Sequence, residues 1–213
     1  MAKEGWPFVG AGLALALIFL IAAQPYPMMR YGAIFFAVVA GFMVFFFRDP
    51  QRTPPTLAGA IVSAADGRVV GVDAVDERQE YLGSSGVKVS IFLSPLDVHV
   101  NRAPIAGQVD FVDWHRGRFK PAYTAAASAE NEHSAVGISN GSMRLVVKQI
   151  VGVLARRIVC YPTSGDALQL GERFGLIRFG SRVEHILPSG TKIEVIVGDR
   201  VVAGETVIGV YSV

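Results

Sequence analysis

The sequence predicts a mainly β domain, a sandwich or barrel with lipoyl-like strand-turn patterns, preceded by an N-terminal two-helix membrane hairpin. Three observations carry this reading. Two long apolar runs crowd the N-terminal quarter. After them come short Val/Ile-rich segments, many alternating apolar and polar residues, with Gly or Pro every ten residues or so. An Asn-Gly pair, Asn140-Gly141, joins two such segments, Ala135–Ser139 and Met143–Val147, as a tight hairpin turn does.

The hairpin comes first. Phe8–Ala23 has no polar side chain, and Tyr31–Phe47 has only Tyr31. Each run is at or just under the roughly 20 residues that span a bilayer. Gln24–Arg30, with two prolines, separates them. A secretory signal has one apolar stretch and a small-residue cleavage site, so two runs read better as a hairpin, spanning or re-entrant. The alternative is a pair of buried core helices. Trp6 and Tyr31 suit the interface. Lys3, Arg48 and Arg52 flank the runs, whereas the turn has only Arg30, which places both ends in the cytoplasm. The single cysteine, Cys160, rules out a disulfide framework and reads as a core thiol.

Thr53-Pro54-Pro55-Thr56 is a short stiff linker. The organisation is therefore a hairpin, residues 1–52, and a domain, residues 53–213. Hydrophobic residues make up 51% and charged residues 18% of the 213, and mean hydropathy is +0.40, the reverse of a disordered chain. Beyond residue 52, acidic and basic residues are equal in number, with no basic stripe, which argues against a nucleic-acid partner.

Within the domain the expected strands are Arg68–Val75, Val87–Leu93, Gln108–Trp114, Arg144–Gln149, Leu154–Cys160, Arg182–Leu187 and Lys192–Val197. Lys120–Ser128 suits a short helix. Val197–Thr206 has the turn-strand-turn pattern of lipoyl- and biotinyl-type folds, and Asp66-Gly67-Arg68-Val69 and Ala106-Gly107-Gln108-Val109 look related. The glycines suit the positive φ of such turns.

The chemistry-bearing residues are few. His99, His115, His133 and His185 fall at no metal spacing, and no zinc or P-loop pattern exists, so no metal is expected. Taken singly, Gly180-Ser181 reads as a turn before a strand, Asp66-Gly67 as a turn and His99 as a core or loop histidine. His115 and His133 read as surface residues.

Taken together, five stretches resemble the phosphatidylserine decarboxylase proenzymes, in their short membrane-anchored form. They are FFRDPQR (46–52), VSAADGRV (62–69), IFLSPLDVHVNRAPIAG (91–107), QIVGVLARRIVCY (149–161) and GERFGLIRFGSRVEHILP (171–188). They run in family order from the hairpin almost to the C-terminus.

The resemblance implies a carboxy-lyase that makes its own cofactor. Gly180-Ser181 matches the family's self-cleavage site. Ser181 Oγ attacks the Gly180 carbonyl, the ester eliminates, and Ser181 becomes a pyruvoyl group, leaving a β chain (1–180) and an α chain (181–213) as a heterodimer. A hydroxyl is a weak nucleophile until a base takes its proton, and glycine permits a strained backbone. The pyruvoyl group then acts as the electron sink for decarboxylating phosphatidylserine to phosphatidylethanolamine. Asp66 matches the aspartate that orients or charge-stabilises the base, and His99 the histidine of the decarboxylation site. The family's second histidine is Arg102 here. Arginine stays protonated near neutral pH and is no base. Either His99 serves both steps or another group replaces the lost base. Arg102 is suited to bind the substrate's carboxylate or phosphate. The apolar runs, their charged flanks and the Pro-rich linker place the domain at the cytoplasmic face of the cell membrane.

Three alternatives stay open at this level. An archaetidylserine decarboxylase shares the motifs. A non-enzymatic lipoyl-like membrane adaptor explains the hairpin but not the Gly180-Ser181 block. A serine peptidase has no G-x-S-x-G elbow here.

Overall fold

The computed structural model describes every residue except 80, 154–156, 179, 212 and 213. The chain forms two compact units, Met1–Pro50 and Gln51–Val213.

The first unit is a helical hairpin. A 3-10 turn, Lys3–Gly5, leads into α1 (Trp6–Ala22), and α2 (Met29–Phe46) follows. The prolines of Gln24–Arg30 fall in the turn, where a missing N–H costs no helical bond. Gly12 lets the helices approach closely, since a Cβ there would stand 3.0 Å from Ala40 Cβ. The Phe19 and Phe36 rings pack at 5.3 Å. Leucine, isoleucine, phenylalanine and valine remain exposed around both helices. Both are long and apolar enough to cross a membrane. At 1.5 Å per residue, α1 and α2 run to about 26 and 27 Å, just short of a hydrocarbon core of about 30 Å.

The second unit is built from antiparallel strands and one short helix. In chain order these are β1 (Ala60–Val62), β2 (Gly67–Gln79), β3 (Ser84–Leu93), β4 (Val100–Arg102), β5 (Gly107–His115), α3 (Ala125–Glu130), β6 (His133–Ser139), β7 (Arg144–Ile150), β8 (Ile158–Cys160), β9 (Ala167–Leu168), β10 (Arg173–Ile177), β11 (Ser181–Pro188), β12 (Thr191–Ile193), β13 (Arg200–Val201) and β14 (Val207–Tyr211). Eight strands form one curled sheet, ordered β13-β2-β3-β11-β7-β6-β5-β9. Two three-stranded sheets, β1-β14-β12 and β4-β10-β8, complete it. The mainly β reading stands.

The inward faces meet in one core that includes Ile91, Leu93, Ile138, Leu145, Phe174 and Leu187, each fully buried. Each such side chain contributes roughly 1.5–3 kcal/mol of burial. Asn140-Gly141 is the β6–β7 turn, and Asn140 Oδ1 accepts the Met143 N–H at 3.1 Å. Val197–Thr206 folds as turn, β13 and turn, with Gly198 and Gly204 at positive φ.

Three expectations shift. The strand expected over Lys192–Val197 stops at Ile193, because the Asp199 carboxylate accepts the Ile196 N–H at 2.9 Å and folds that segment into a turn. The helix expected over Lys120–Ser128 starts at Ala125. Before it, the Thr124 N–H and hydroxyl both bond Pro121 O, at 3.0 and 2.8 Å, which closes a turn instead. Among the described residues of Leu154–Cys160, β8 forms over Ile158–Cys160, and residues 154–156 lie outside the described residues.

β11 is the axis of the domain. It pairs with β3 from Ser181↔Leu93 to Pro188↔Gly86, and with β7 from Arg182↔Ile150 to Ile186↔Val146. Every residue of it is buried. Side chains alternate between faces, so Ser181, Val183, His185 and Leu187 share one face and Arg182, Glu184 and Ile186 the other.

Candidate active site

Ser181 is the first residue of β11, completely buried, and its Oγ has no hydrogen-bond partner among the described residues. A buried hydroxyl without a partner costs about 1–3 kcal/mol, a cost that packing alone does not explain. Gly180 precedes it in the left-handed region, φ +68°, a conformation that glycine adopts without steric cost. A Cβ on Gly152, which follows β7, would collide with the Gly180 carbonyl oxygen. Only glycine at 152 lets that carbonyl lie where it does. Phe179, within the matched FGSRV stretch, lies outside the described residues.

His99 faces the same bond. The Ser94-Pro95-Leu96-Asp97 turn presents it: the Asp97 carboxylate accepts the Ser94 N–H at 2.8 Å and its hydroxyl at 2.7 Å. Arg200 pairs with the other oxygen of Asp97 at 3.3 Å. His99 Nδ1 lies 2.9 Å from Asp97 O. A carbonyl only accepts, so Nδ1 carries the proton and Nε2 keeps its lone pair. That lone pair accepts the Gly180 N–H at 3.3 Å. The structure thus brings His99, Gly180 and Ser181 together.

Asp66 lies in the turn before β2. Its oxygens accept the Ala203 N–H at 2.8 Å and Arg52 Nη2 at 2.8 Å. Burial pushes its carboxyl above the usual range, and the Ala203 N–H and Arg52 work against that. The charge of Asp97 is close enough to add to the rise. Arg52 also pairs with Glu205 at 3.3 Å. Asp66 is therefore the centre of a charge cluster that ties the start of the domain to the loop after β13.

Arg102 is buried on β4, with Nη1 donating to Gly171 O at 3.0 Å. Its charge also lowers the Glu205 carboxyl, behind the contributions of Thr53 and Arg52. These contacts serve the loops at 171 and 205.

Beneath the site runs a buried polar chain. Ser134 Oγ donates to Gln149 Oε1 (2.9 Å), and Gln149 Nε2 donates to Asn101 Oδ1 (2.8 Å). Next to it, the Ala64 N–H donates to His185 Nε2 at 2.9 Å and Ala64 O accepts the Arg102 N–H at 2.9 Å. Burial pushes the His185 imidazole down to about 4, so it stays neutral and keeps its acceptor. On the other face of β11, Arg182 and Glu184 form a buried pair at 2.8 Å. Ser128 of α3 donates to Glu184 and Arg182 donates to Thr124 O, which fastens the loop before β6 over the sheet.

The remaining candidates lie apart. His115 and His133 face each other across β5 and β6, with rings stacked at 4.5 Å. Among the described residues no group of three His, Cys, Asp or Glu side chains is placed to hold a metal. Cys160 is half-buried, and burial pushes its thiol to about 11.

A reading of motifs alone passes over Arg52, Asp97 and Gly152. Asp97 has a local signal, the Ser-x-x-Asp spacing of a side-chain-closed turn. Arg52 and Gly152 act on residues distant in sequence and leave no such signal.

Comparison with known proteins identifies the family. The family model described as phosphatidylserine decarboxylase matches residues 39–209. The chain is 46% identical over 210 residues to a phosphatidylserine decarboxylase proenzyme of Symbiobacterium thermophilum, covering 98% of this chain and 94% of that one. It is 41% identical to the proenzyme of Geobacter metallireducens, covering 98% and 95%. It is 46% identical to the proenzyme of Mycobacterium leprae, covering 97% and 86%. The chain belongs to the phosphatidylserine decarboxylase family and is a carboxy-lyase.

Proposed function

We propose that this protein decarboxylates phosphatidylserine to phosphatidylethanolamine after cutting itself between Gly180 and Ser181. The observation that carries the reading is the buried Ser181 hydroxyl, without a partner among the described residues, next to a left-handed Gly180. In this reading Oγ attacks the Gly180 carbonyl carbon. The C–O bond forms as the peptide C–N bond breaks, giving an ester and a free Ser181 amine. Loss of the Cα proton then expels the Gly180 carboxylate and leaves dehydroalanine. Its enamine tautomerises to an imine, and water releases ammonia and leaves a pyruvoyl group at position 181. That group supplies an electron sink for the electron pair left when carbon dioxide departs.

The chain's own residues prepare both stages. Gly152 leaves room for the Gly180 carbonyl. The Asp97 turn fixes the His99 tautomer, so an unprotonated Nε2 stands at the site to hold or pass a proton. Asp66, held by Arg52 and the Ala203 N–H, places negative charge near this turn. Arg102 braces the 171 loop through Gly171 O, and its guanidinium suits the carboxylate or phosphate of the substrate.

The cut leaves the pieces joined. Residues 181–213 supply β11 through β14, which pair with β1, β2, β3 and β7. The two chains therefore persist as a heterodimer. The apolar hairpin holds this enzyme on the membrane, with the domain on the cytoplasmic side.

The direct test is Ser181→Ala. Without Oγ neither ester nor dehydroalanine forms, so a denaturing gel should show one uncut chain and the carbon dioxide assay no turnover. A variant that still cuts would end the proposal. His99→Ala should still process but lose about 10²–10⁴ in turnover per processed chain, the usual worth of a positioned acid or base. Full turnover per processed chain would remove His99 from the site. Gly152→Ala displaces the Gly180 carbonyl, so its half-time of processing should lengthen at least about tenfold, a loss of about 1.4 kcal/mol. Wild-type processing in that variant would show that the carbonyl has room to move.

A further inference from the structure

We propose that the end of the β domain carrying Gly180 and Ser181 is a docking surface for the headgroup and upper acyl layer of an anionic phospholipid bilayer. It rests on the phosphatidylserine reading above.

The strand register defines this end. One row crosses seven strands: Arg200 opposite Arg68, Arg68 opposite Phe92, Phe92 opposite Arg182, Arg182 opposite Ile150, Ile150 opposite His133, and His133 opposite His115. Ser181 sits next to that row. The segments 93–99, 116–132, 151–153 and 196–199 all leave the sheet there.

Most of the domain's exposed large apolar residues among those described lie in these segments, with Leu57, Trp114 and Tyr161 elsewhere. Leu96 is 65% exposed, Tyr123 65% and Ile196 71%, with Phe119, Val153 and Val197 also exposed. They come from four separate loops, so no single local accident of sequence accounts for them. Exposed apolar clusters of this kind mark membrane or protein contacts. Between them an almost wholly apolar pocket of about 180 Å³ opens beside Gly180, lined by Phe92, Pro95, Pro121, Ala122, Tyr123 and Val153. The opposite end of the sheet is different in kind. A cleft there is lined by Ser84, Ser139, Ser142, Arg144 and Ser189 around the hairpin turns, with Leu82, Met143 and Pro188 beside them.

Charge favours an anionic bilayer over a second copy of this chain. Three of the acids at this end sit against cations, Asp97 against Arg200, Glu130 against Lys120 and Arg118, and Asp66 against Arg52, while Asp199 accepts the Ile196 N–H. Arg68 and Arg116 stand exposed on the collar. Each basic group near an anionic surface contributes about 1 kcal/mol, whereas a second copy would present the same cations to each other.

Chain length puts a bilayer within reach. Arg52 is fastened to Asp66 at this end, and the second apolar helix stops at Phe46. Six residues, fully extended, cover about 20 Å.

The test is depth-dependent fluorescence quenching with the full chain, Trp6 and Trp114 first changed to Phe. Single tryptophans are introduced as Leu96→Trp, Tyr123→Trp and, at the far end, Ser142→Trp. Each protein is reconstituted in vesicles of chain-brominated phosphatidylcholine with a minor fraction of phosphatidylserine. Interfacial residues lie about 5–10 Å into the boundary, so quenching at 96 and 123 should be roughly three times that at 142. Equal quenching at the three positions would overturn the proposal. So would shielding at 96 and 123 without bromine quenching, the sign of a protein partner or second copy. Tyr123→Trp keeps an aromatic ring, so a well-folded variant is in hand. The readout needs no turnover. Preserved quenching in a protein that leaves phosphatidylserine intact would remove the substrate reading and keep the surface.

Discussion

The structure depends on the pairing of β11 along both of its edges. A strand locked to β3 on one side and β7 on the other has no freedom to slide. A one-residue slip would turn Ser181 and His185 to the wrong face and drive the Arg182–Glu184 pair into the apolar core. That register fixes where the Ser181 hydroxyl stands. It also sets the level at which the 93–99, 116–132 and 151–153 loops leave the sheet, so the surroundings of Gly180 follow from the same constraint. A cut at the first residue of such a strand changes covalent connectivity without removing any strand from its sheet.

The site departs from the rules that the core obeys. The core is apolar and well packed. The site holds a buried hydroxyl with no partner among the described residues, a left-handed glycine, a close backbone approach at Gly152 and a clustered set of charges around Asp66. The buried hydroxyl costs about 1–3 kcal/mol, while the left-handed turn and the close approach are open only to glycine. The chain tolerates them because β11 and the buried Ser134–Gln149–Asn101 chain hold their surroundings in place. Local violations supported by a consistent scaffold are the signature of function.

Much of this was legible in the sequence, for definite reasons. Alternation and Val/Ile content locate β2, β3, β5, β7 and β11, because each has a face on the common core and a period of two. Asn140-Gly141 announces its hairpin through turn chemistry alone. The short strands β1, β4, β9 and β13 carry too few residues for any period to register. Ile196 and Val197 read as strand and lie in an exposed turn, since a side-chain bond from Asp199 outweighs β propensity. At the site, Gly180, Ser181, Asp66 and His99 are found by motif. Their physical relations come from the fold: His99 Nε2 against the Gly180 N–H, Asp66 held by Arg52, and Gly152 under the Gly180 carbonyl join residues far apart in sequence.

The central claim is that the chain converts its own Ser181 into a carbonyl group. The most direct measurement is the intact mass of the purified protein before and after borohydride reduction, under denaturing conditions. The account predicts two chains, with the one spanning 181–213 lacking an N-terminal amine, carrying a ketone at its first residue, and gaining two hydrogens on reduction. A single chain that turns over phosphatidylserine, or a 181–213 fragment that begins with an intact serine and a free amine, would contradict it.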